Sequence, residues 1–175
     1  MANKGTIIYL NGVTSTGKTS IVEALRAKGA DFYYLSDDIF EDNIIDIEYD
    51  APGYWEALAE AVFLMYRTAA LFSDHGKTVV LDSMLLEKSA FIPHYERMLE
   101  IFREHPLKVV DVYCPLEICC LRSAARPDRY ENQPREQANL MAQNVRYDLH
   151  LDTSRFTAAQ CAEKIMEQFC RKKVK

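Results

Sequence analysis

Short apolar runs alternate along this chain with longer stretches in which apolar residues recur every three or four positions. The runs are Ile7-Ile8-Tyr9-Leu10, Phe32-Tyr33-Tyr34-Leu35, Val79-Val80-Leu81, Leu107 to Tyr113 and, alternating every second residue, Tyr147 to Asp152. Their length and their β-branched and aromatic content predict strands. Between them lie helical patterns. Ile21, Val22 and Leu25 mark the first, and Leu58, Val62, Met65, Ala69 and Phe72 mark a second over Tyr54 to Ser73. Others are predicted over Glu87 to Arg103, from Pro115 through Leu121, up to Val145, and from Thr157 onward. Gly29 suits the left-handed position that ends the first helix. Strands that alternate with helices predict a three-layer α/β/α domain, with a five-stranded parallel sheet and helices on both faces. The 175 residues fit one such domain spanning 1–175, and no repeat or linker divides them.

In an open sheet of this kind ligands sit beyond the carboxyl ends of the strands, so the residues just after each run carry the candidate chemistry. The first is followed by Gly12-Val13-Thr14-Ser15-Thr16-Gly17-Lys18-Thr19-Ser20, which fits G-x-x-x-x-G-K-[ST] between a strand and a helix. Glycines there let successive N–H groups turn inward at phosphate oxygens, and the positive end of the following helix adds to that field. Lys18 is placed for the β- and γ-phosphates and the Thr19 hydroxyl for Mg²⁺, so ATP and Mg²⁺ are the expected cofactors. The second strand ends in Ser36-Asp37-Asp38. One aspartate is expected to orient or deprotonate an acceptor hydroxyl, or to position a Mg²⁺-bound water, while the other caps the helix starting near Ile39. Asp37, closer to the strand, is the favoured base. Asp82 closes the third strand in the manner of a Walker B carboxylate directed at Mg²⁺, with Ser83 beside it. Thr153 and Ser154 follow the last strand, where the base of a nucleotide would lie.

Arg122, Arg126 and Arg129 are spaced by four and three, which on a helix puts them on one face. Paired with Asp128, Glu131 and Glu136 they would form a solvated surface. Facing a nucleotide they would form a lid over about 122–136, its tip within Arg129 to Arg135. Arg126 or Arg129 would then neutralise the transferring phosphoryl, and Arg122 would stack on adenine. The segment 38–73 is the expected acceptor-binding part. Within it Tyr49, Tyr54 and Trp55 either line an apolar pocket or, for Trp55, anchor the next helix, and Arg67 is a lesser candidate for phosphate contact.

Composition removes several classes. A net charge of −5 and a pI near 5.4 give no general attraction for nucleic acid, and the basic end Arg171 to Lys175 reads as a frayed terminus. No apolar run approaches the ~18 residues that span a membrane. Met1-Ala2-Asn3-Lys4 leads straight into the first strand, without a secretory pattern. Cys114, Cys119, Cys120, Cys161 and Cys170 lack zinc-like spacing and are expected to be reduced thiols, with Cys119 and Cys120 on different sides of a helix. A cytoplasmic location is expected, and the oligomeric state stays open. His75, His94, His105 and His150 have no metal-like partners in sequence and read as structural or solvated. The competing readings are a P-loop kinase for another metabolite, such as a nucleoside or sugar acid, and a slowly hydrolysing nucleotide switch. Against the switch, the chain has no N-K-x-D guanine signature, and an arginine lid suits transfer better.

The order of these features resembles the P-loop small-molecule kinases, which include shikimate, gluconate and adenylylsulfate kinases. Within them the chain is most similar to the chloramphenicol phosphotransferases. The resemblance rests on Ile8 to Lys18, on Asp37 at a matching distance and on Arg122-x-x-x-Arg126-x-Asp128-Arg129. It also rests on Gln137-Ala138 and on Tyr147 to Ser154. It covers about two thirds of the chain and is poorest over Glu41 to Ser73 and Leu85 to Arg103, where this family recognises its acceptor. It implies ATP-dependent phosphorylation of a primary hydroxyl on a small molecule such as chloramphenicol, with Asp37 as base.

Overall fold

In the computed structural model, which describes residues 3–49 and 51–170, five parallel strands lie in the order β2-β3-β1-β4-β5. They are β1 (Ile7–Asn11), β2 (Tyr33–Ser36), β3 (Val79–Ser83), β4 (Leu107–Tyr113) and β5 (Leu149–Asp152). The helices are α1 (Lys18–Ala27), α2 (Asp37–Ile44), α3 (Tyr54–Asp74), α4 (His94–Ile101), α5 (Leu116–Ala124), α6 (Gln133–Ala138) and α7 (Ala158–Phe169). Strand alternation divides the core in two. Ile7, Tyr9, Val79 and Leu81 face α3 and α4, while Ile8, Leu10, Val80 and Val110 face α1 and α7. All five residues of β1 are buried, as are all five of β3, which explains why both read as unbroken apolar runs. The expected three-layer architecture and five-stranded parallel sheet are present.

Register builds the site. Leu10 is paired with Asp82, Asn11 with Ser83, and Ser36 with Asp82. The residues that leave the carboxyl ends of β1, β2 and β3 therefore emerge side by side, although they are tens of positions apart in sequence.

Several sequence expectations are corrected. The helix predicted over Glu87 to Arg103 begins only at His94, with Pro93 as its N-cap. Proline lacks the N–H donor and disfavours helical backbone in the residue before it, so the pattern cannot run through Pro93. The preceding segment is pinned instead to the chain after α6, by Glu87 N–H on Leu140 O and Ala142 N–H on Leu85 O at 2.8 Å. That pairing also ends α6 at Ala138 rather than at Val145. The last strand starts at Leu149 rather than Tyr147. The α2 helix begins at Asp37, and its cap is neither aspartate: Ser36 Oγ accepts from Ile39 N–H at 3.2 Å. Cys119 and Cys120 are both buried, and Cys119 packs with Val13 and Cys114 in a small apolar cluster. The Arg171 to Lys175 tail lies outside the described residues. No helix among the described residues is long and apolar enough to cross a membrane.

Candidate active site

The loop after β1 has the backbone its glycines require. Gly17 has φ 100° and Ser15 φ 63°, both left-handed. A Cβ on Gly12 would lie 2.5 Å from Val112 O, so only glycine fits under β4 there. The turn is closed by Thr16 Oγ1, which donates to Val13 O at 2.9 Å. Lys18 Nζ folds back on the loop, donating to Gly12 O at 2.6 Å and Val13 O at 3.3 Å, and lies 3.7 Å from Asp82 Oδ1. Thr19 Oγ1 donates to Asp82 Oδ2 at 2.9 Å.

A cavity of about 420 Å³ opens over this loop. Thr14, Ser15, Gly17, Lys18, Thr19 and Ser20 line one side, Arg122, Arg126 and Arg129 a second, and Thr153, Phe156, Thr157 and Ala158 a third. Asp38 is also on the wall, whereas Gly12, Val13, Thr16, Asp37 and Asp82 are not. Arg122, at the end of α5, ties the two sides together. Its guanidinium donates to Thr153 O at 3.0 Å, to Thr153 Oγ1 at 3.1 Å and to Ser15 O at 3.4 Å. Thr153 Oγ1 in turn donates to Thr16 O at 2.6 Å. The other two arginines follow the end of α5 and reach the cavity through a turn, so the single helical face expected from their spacing is not formed. Arg126 makes a two-pronged pair with Asp128 at 2.8 and 3.1 Å, and Arg129 lies 3.4 Å from Asp38. Arg67 lies far from this cleft, in a groove between α3 and α4. Trp55 is half-buried between Tyr54, Tyr49 and the Lys88 ammonium, which sits 3.2 Å from the centre of its ring.

The two adjacent aspartates part company. Asp38 is exposed. Asp37 Oδ2 accepts from Ser83 Oγ at 2.9 Å and from Met84 N–H at 3.2 Å, while its Oδ1 is buried without a partner. Burial pushes its carboxyl up to about 8, helped by the charges of Asp82 and Asp38 and opposed by the Ser83 hydrogen bond and Lys18. A carboxylate poised near neutrality beside a phosphate-type loop can take a proton from a hydroxyl.

Three pairings escaped the sequence. Tyr34 OH donates to Asp82 Oδ2 at 3.3 Å, Gln137 Oε1 accepts from Thr14 N–H at 2.7 Å, and Asn11 Nδ2 donates to Tyr147 OH at 2.8 Å. Each joins residues 48 or more positions apart, and only the alternation of β2 gives any hint of where Tyr34 points. The residues present suit Mg²⁺. Thr19 and Asp82 offer two hard oxygens to an ion that usually takes one or two protein ligands besides phosphate and water. A cluster of three or more metal-binding side chains is absent among the described residues.

Parallel sheet, glycine loop, lysine, and carboxylates after two neighbouring strands define a P-loop kinase fold with its phosphate-binding end intact. The chain belongs to the chloramphenicol phosphotransferase-like protein family, whose profile matches residues 5–170, and with that family it is a phosphotransferase of the kinase class. It is 24% identical to a Mycobacterium tuberculosis protein described as "putative O-phosphotransferase", over 95% of this chain and 83% of that one. Among solved structures it superposes on the Mycobacterium tuberculosis APS kinase, in complex with AMPPNP and APS, with a TM-score of 0.70 at 16% identity, covering 95% of this chain and 98% of that one. The shikimate kinase of Acinetobacter baumannii, in complex with shikimate, gives 0.63 at 18% identity, covering 99% and 97%.

Proposed function

We propose that this protein transfers the γ-phosphoryl of ATP to a hydroxyl of a small molecule, with chloramphenicol as the first acceptor to test. One observation carries the reading: Asp37, with a raised carboxyl, is fixed by Ser83 and Met84 beside the cluster of Lys18, Thr19 and Asp82. The amides from Ser15 to Thr19 and Lys18 would hold the triphosphate, while Thr14 N–H is held by Gln137 Oε1. Mg²⁺ between Thr19 and Asp82 would offset charge on the β- and γ-phosphates. Asp37 would take the acceptor proton as its oxygen attacks phosphorus, and Arg126 and Arg129 would meet charge on the transferring group once they leave Asp128 and Asp38. Arg122 and Thr153 would shape the base end.

The test is product mass after incubation with Mg²⁺, ATP and chloramphenicol. The expected result is a gain of roughly 80 Da, one HPO₃, that disappears in Asp37→Asn. No gain with chloramphenicol but one with another small alcohol would move the acceptor and keep the reaction. No transfer to any hydroxyl would overturn the reading. Arg122→Ala should raise KM for Mg·ATP about tenfold with kcat little changed, because it removes charge-assisted hydrogen bonds that brace the loop in ground and transition states alike. An unchanged KM would remove Arg122 from nucleotide binding.

A further inference from the structure

Behind Asp37 a file of polar side chains runs through the buried layer between the sheet and α3–α4. Ser83 Oγ donates to Asp37 Oδ2 at 2.9 Å, and Tyr9 OH donates to Ser83 Oγ at 2.9 Å. Tyr9 OH lies 2.8 Å from Tyr66 OH, which lies 2.8 Å from His94 Nε2. His94 Nδ1 is 3.0 Å from Leu86 N and 3.1 Å from Leu86 O. Tyr9, Tyr66 and His94 are completely buried and Ser83 is 2% exposed. Their surroundings are otherwise apolar and aromatic, with Phe63, Phe91 and Phe102 against Tyr66 and His94. Core positions filled by two tyrosines and a histidine that all point along one line need a reason, because each buried polar atom costs stability unless it is paired.

Proton counting fixes the direction of the line when Asp37 is ionised, as a base must be. The four short contacts from Asp37 to His94, all at 2.8–2.9 Å, need four hydrogens, and the longer 3.4 Å approach of Tyr66 OH to Ser83 Oγ is left without one. Ser83, Tyr9 and Tyr66 supply one each. The fourth must sit on His94 Nε2, which leaves Nδ1 as an acceptor for Leu86 N–H. The other tautomer would give its Nδ1 hydrogen to Leu86 O and leave one contact in the file without a proton. Burial holds His94 down at about 4, so the ring is neutral at ordinary pH, and burial keeps the Tyr66 hydroxyl protonated.

Resting on the phosphotransferase reading, we propose that His94, Tyr66, Tyr9 and Ser83 form a one-way chain of donors that positions Asp37, satisfying its Oδ2 and leaving Oδ1 as the oxygen that meets the acceptor hydroxyl. The unpaired Oδ1 is what such a chain would leave behind; it is buried here, so an acceptor hydroxyl reaches it only by displacing the groups that cover it. None of the four touches the cleft. They are positioning residues, and they couple the catalytic end of β3 to the start of α4.

Two measurements test this. The first needs no substrate: the imidazole ¹⁵N shifts of His94 at pH 9 in the whole protein. A hydrogen on Nε2, with shifts that change in Ser83→Ala at the far end of the file, is the expected result. A hydrogen on Nδ1, or indifference to Ser83→Ala, would overturn the chain. The second is kinetic, read on chloramphenicol phosphorylation or, failing that acceptor, on phosphate release from Mg·ATP to water. Tyr66→Phe should lower kcat roughly tenfold or more with KM for Mg·ATP unchanged, because a displaced base loses its alignment. His94→Gln, which keeps a donor near Nε2, should stay within about threefold of wild type while His94→Phe falls with Tyr66→Phe. Wild-type kcat in folded Tyr66→Phe would overturn the proposal. If the wild type catalyses neither reaction, the phosphotransferase reading fails and the ¹⁵N result still decides the chain.

Discussion

Asp37→Asn is expected to lower turnover by roughly 10²–10⁴-fold, the usual cost of losing a general base, and to raise the melting temperature at the same time. The second effect follows from linkage. Unfolded, this carboxyl titrates near 3.8, and in the folded protein at about 8. Between those values the folded state keeps a proton that the unfolded chain has released, so stability falls as pH rises and the full cost is present above pH 8. Asparagine escapes the ionisation cost and can still accept from Ser83 and Met84, although its NH₂ takes the unpartnered Oδ1 position and returns part of the gain. Because Asp37 is only half-buried, the gain at pH 8.5 is discounted to on the order of 2–3 kcal/mol, or about 5–10 °C for a chain of this size. His94 has the opposite sign, its folded value of about 4 lying below the ordinary 6.5, so it favours folding as pH rises between them. It does so in both proteins and cancels in the comparison. Melting curves of both proteins at pH 5, 7 and 8.5 check this. The gap should widen with pH, and equal melting temperatures throughout would show that Asp37 ionises without cost.

Lys18→Ala should abolish phosphoryl transfer, by roughly 10³-fold or more, since no other side chain on the loop places a cation at the β- and γ-phosphates. The fold should survive. Lys18 Nζ rests on Gly12 O and Val13 O, but Val13 O keeps the Thr16 hydroxyl as donor. Steady-state turnover alongside circular dichroism separates the two effects, and a well-folded variant with wild-type activity would remove the loop from the mechanism. Asp82 loses a cation 3.7 Å away in this variant and keeps Thr19 and Tyr34 as donors.

Both predictions lean on residues visible in the sequence, but they were visible to different degrees. The loop from Gly12 to Thr19 is legible because its conformation is written locally. Glycine is needed where β4 crowds Gly12 and where Gly17 turns left-handed, and lysine and threonine follow at fixed spacing. The choice between Asp37 and Asp38 was open in sequence, since neighbours in a chain look alike until their surroundings differ. Here α2 starts at Asp37, so one carboxylate turns under β3 and the other into solvent toward Arg129. The expected aspartate cap failed for the same reason: Ser36, the last residue of β2, already holds the free N–H of Ile39. His94 read as structural or solvated, and nothing in its local sequence joins it to Asp37.

What the sequence determined by itself is whatever short-range chemistry specifies: strands from apolar runs, helices from a 3.6-residue period, a phosphate-type loop from two glycines and a lysine. Tertiary structure decided what depends on register. Pairing Ser36 with Asp82 and Asn11 with Ser83 sets Asp37, Asp82 and the loop side by side. Packing α3 and α4 on the same sheet face lines Tyr66 and His94 up behind them. Proline broke the helix predicted from Glu87, and long-range backbone pairing shortened the one after Gln133. The physical reason is common to all of these. Periodicity and propensity act within a few residues, whereas the register pairs and buried hydrogen bonds that build this site join positions 28 to 74 residues apart, and no local pattern encodes them.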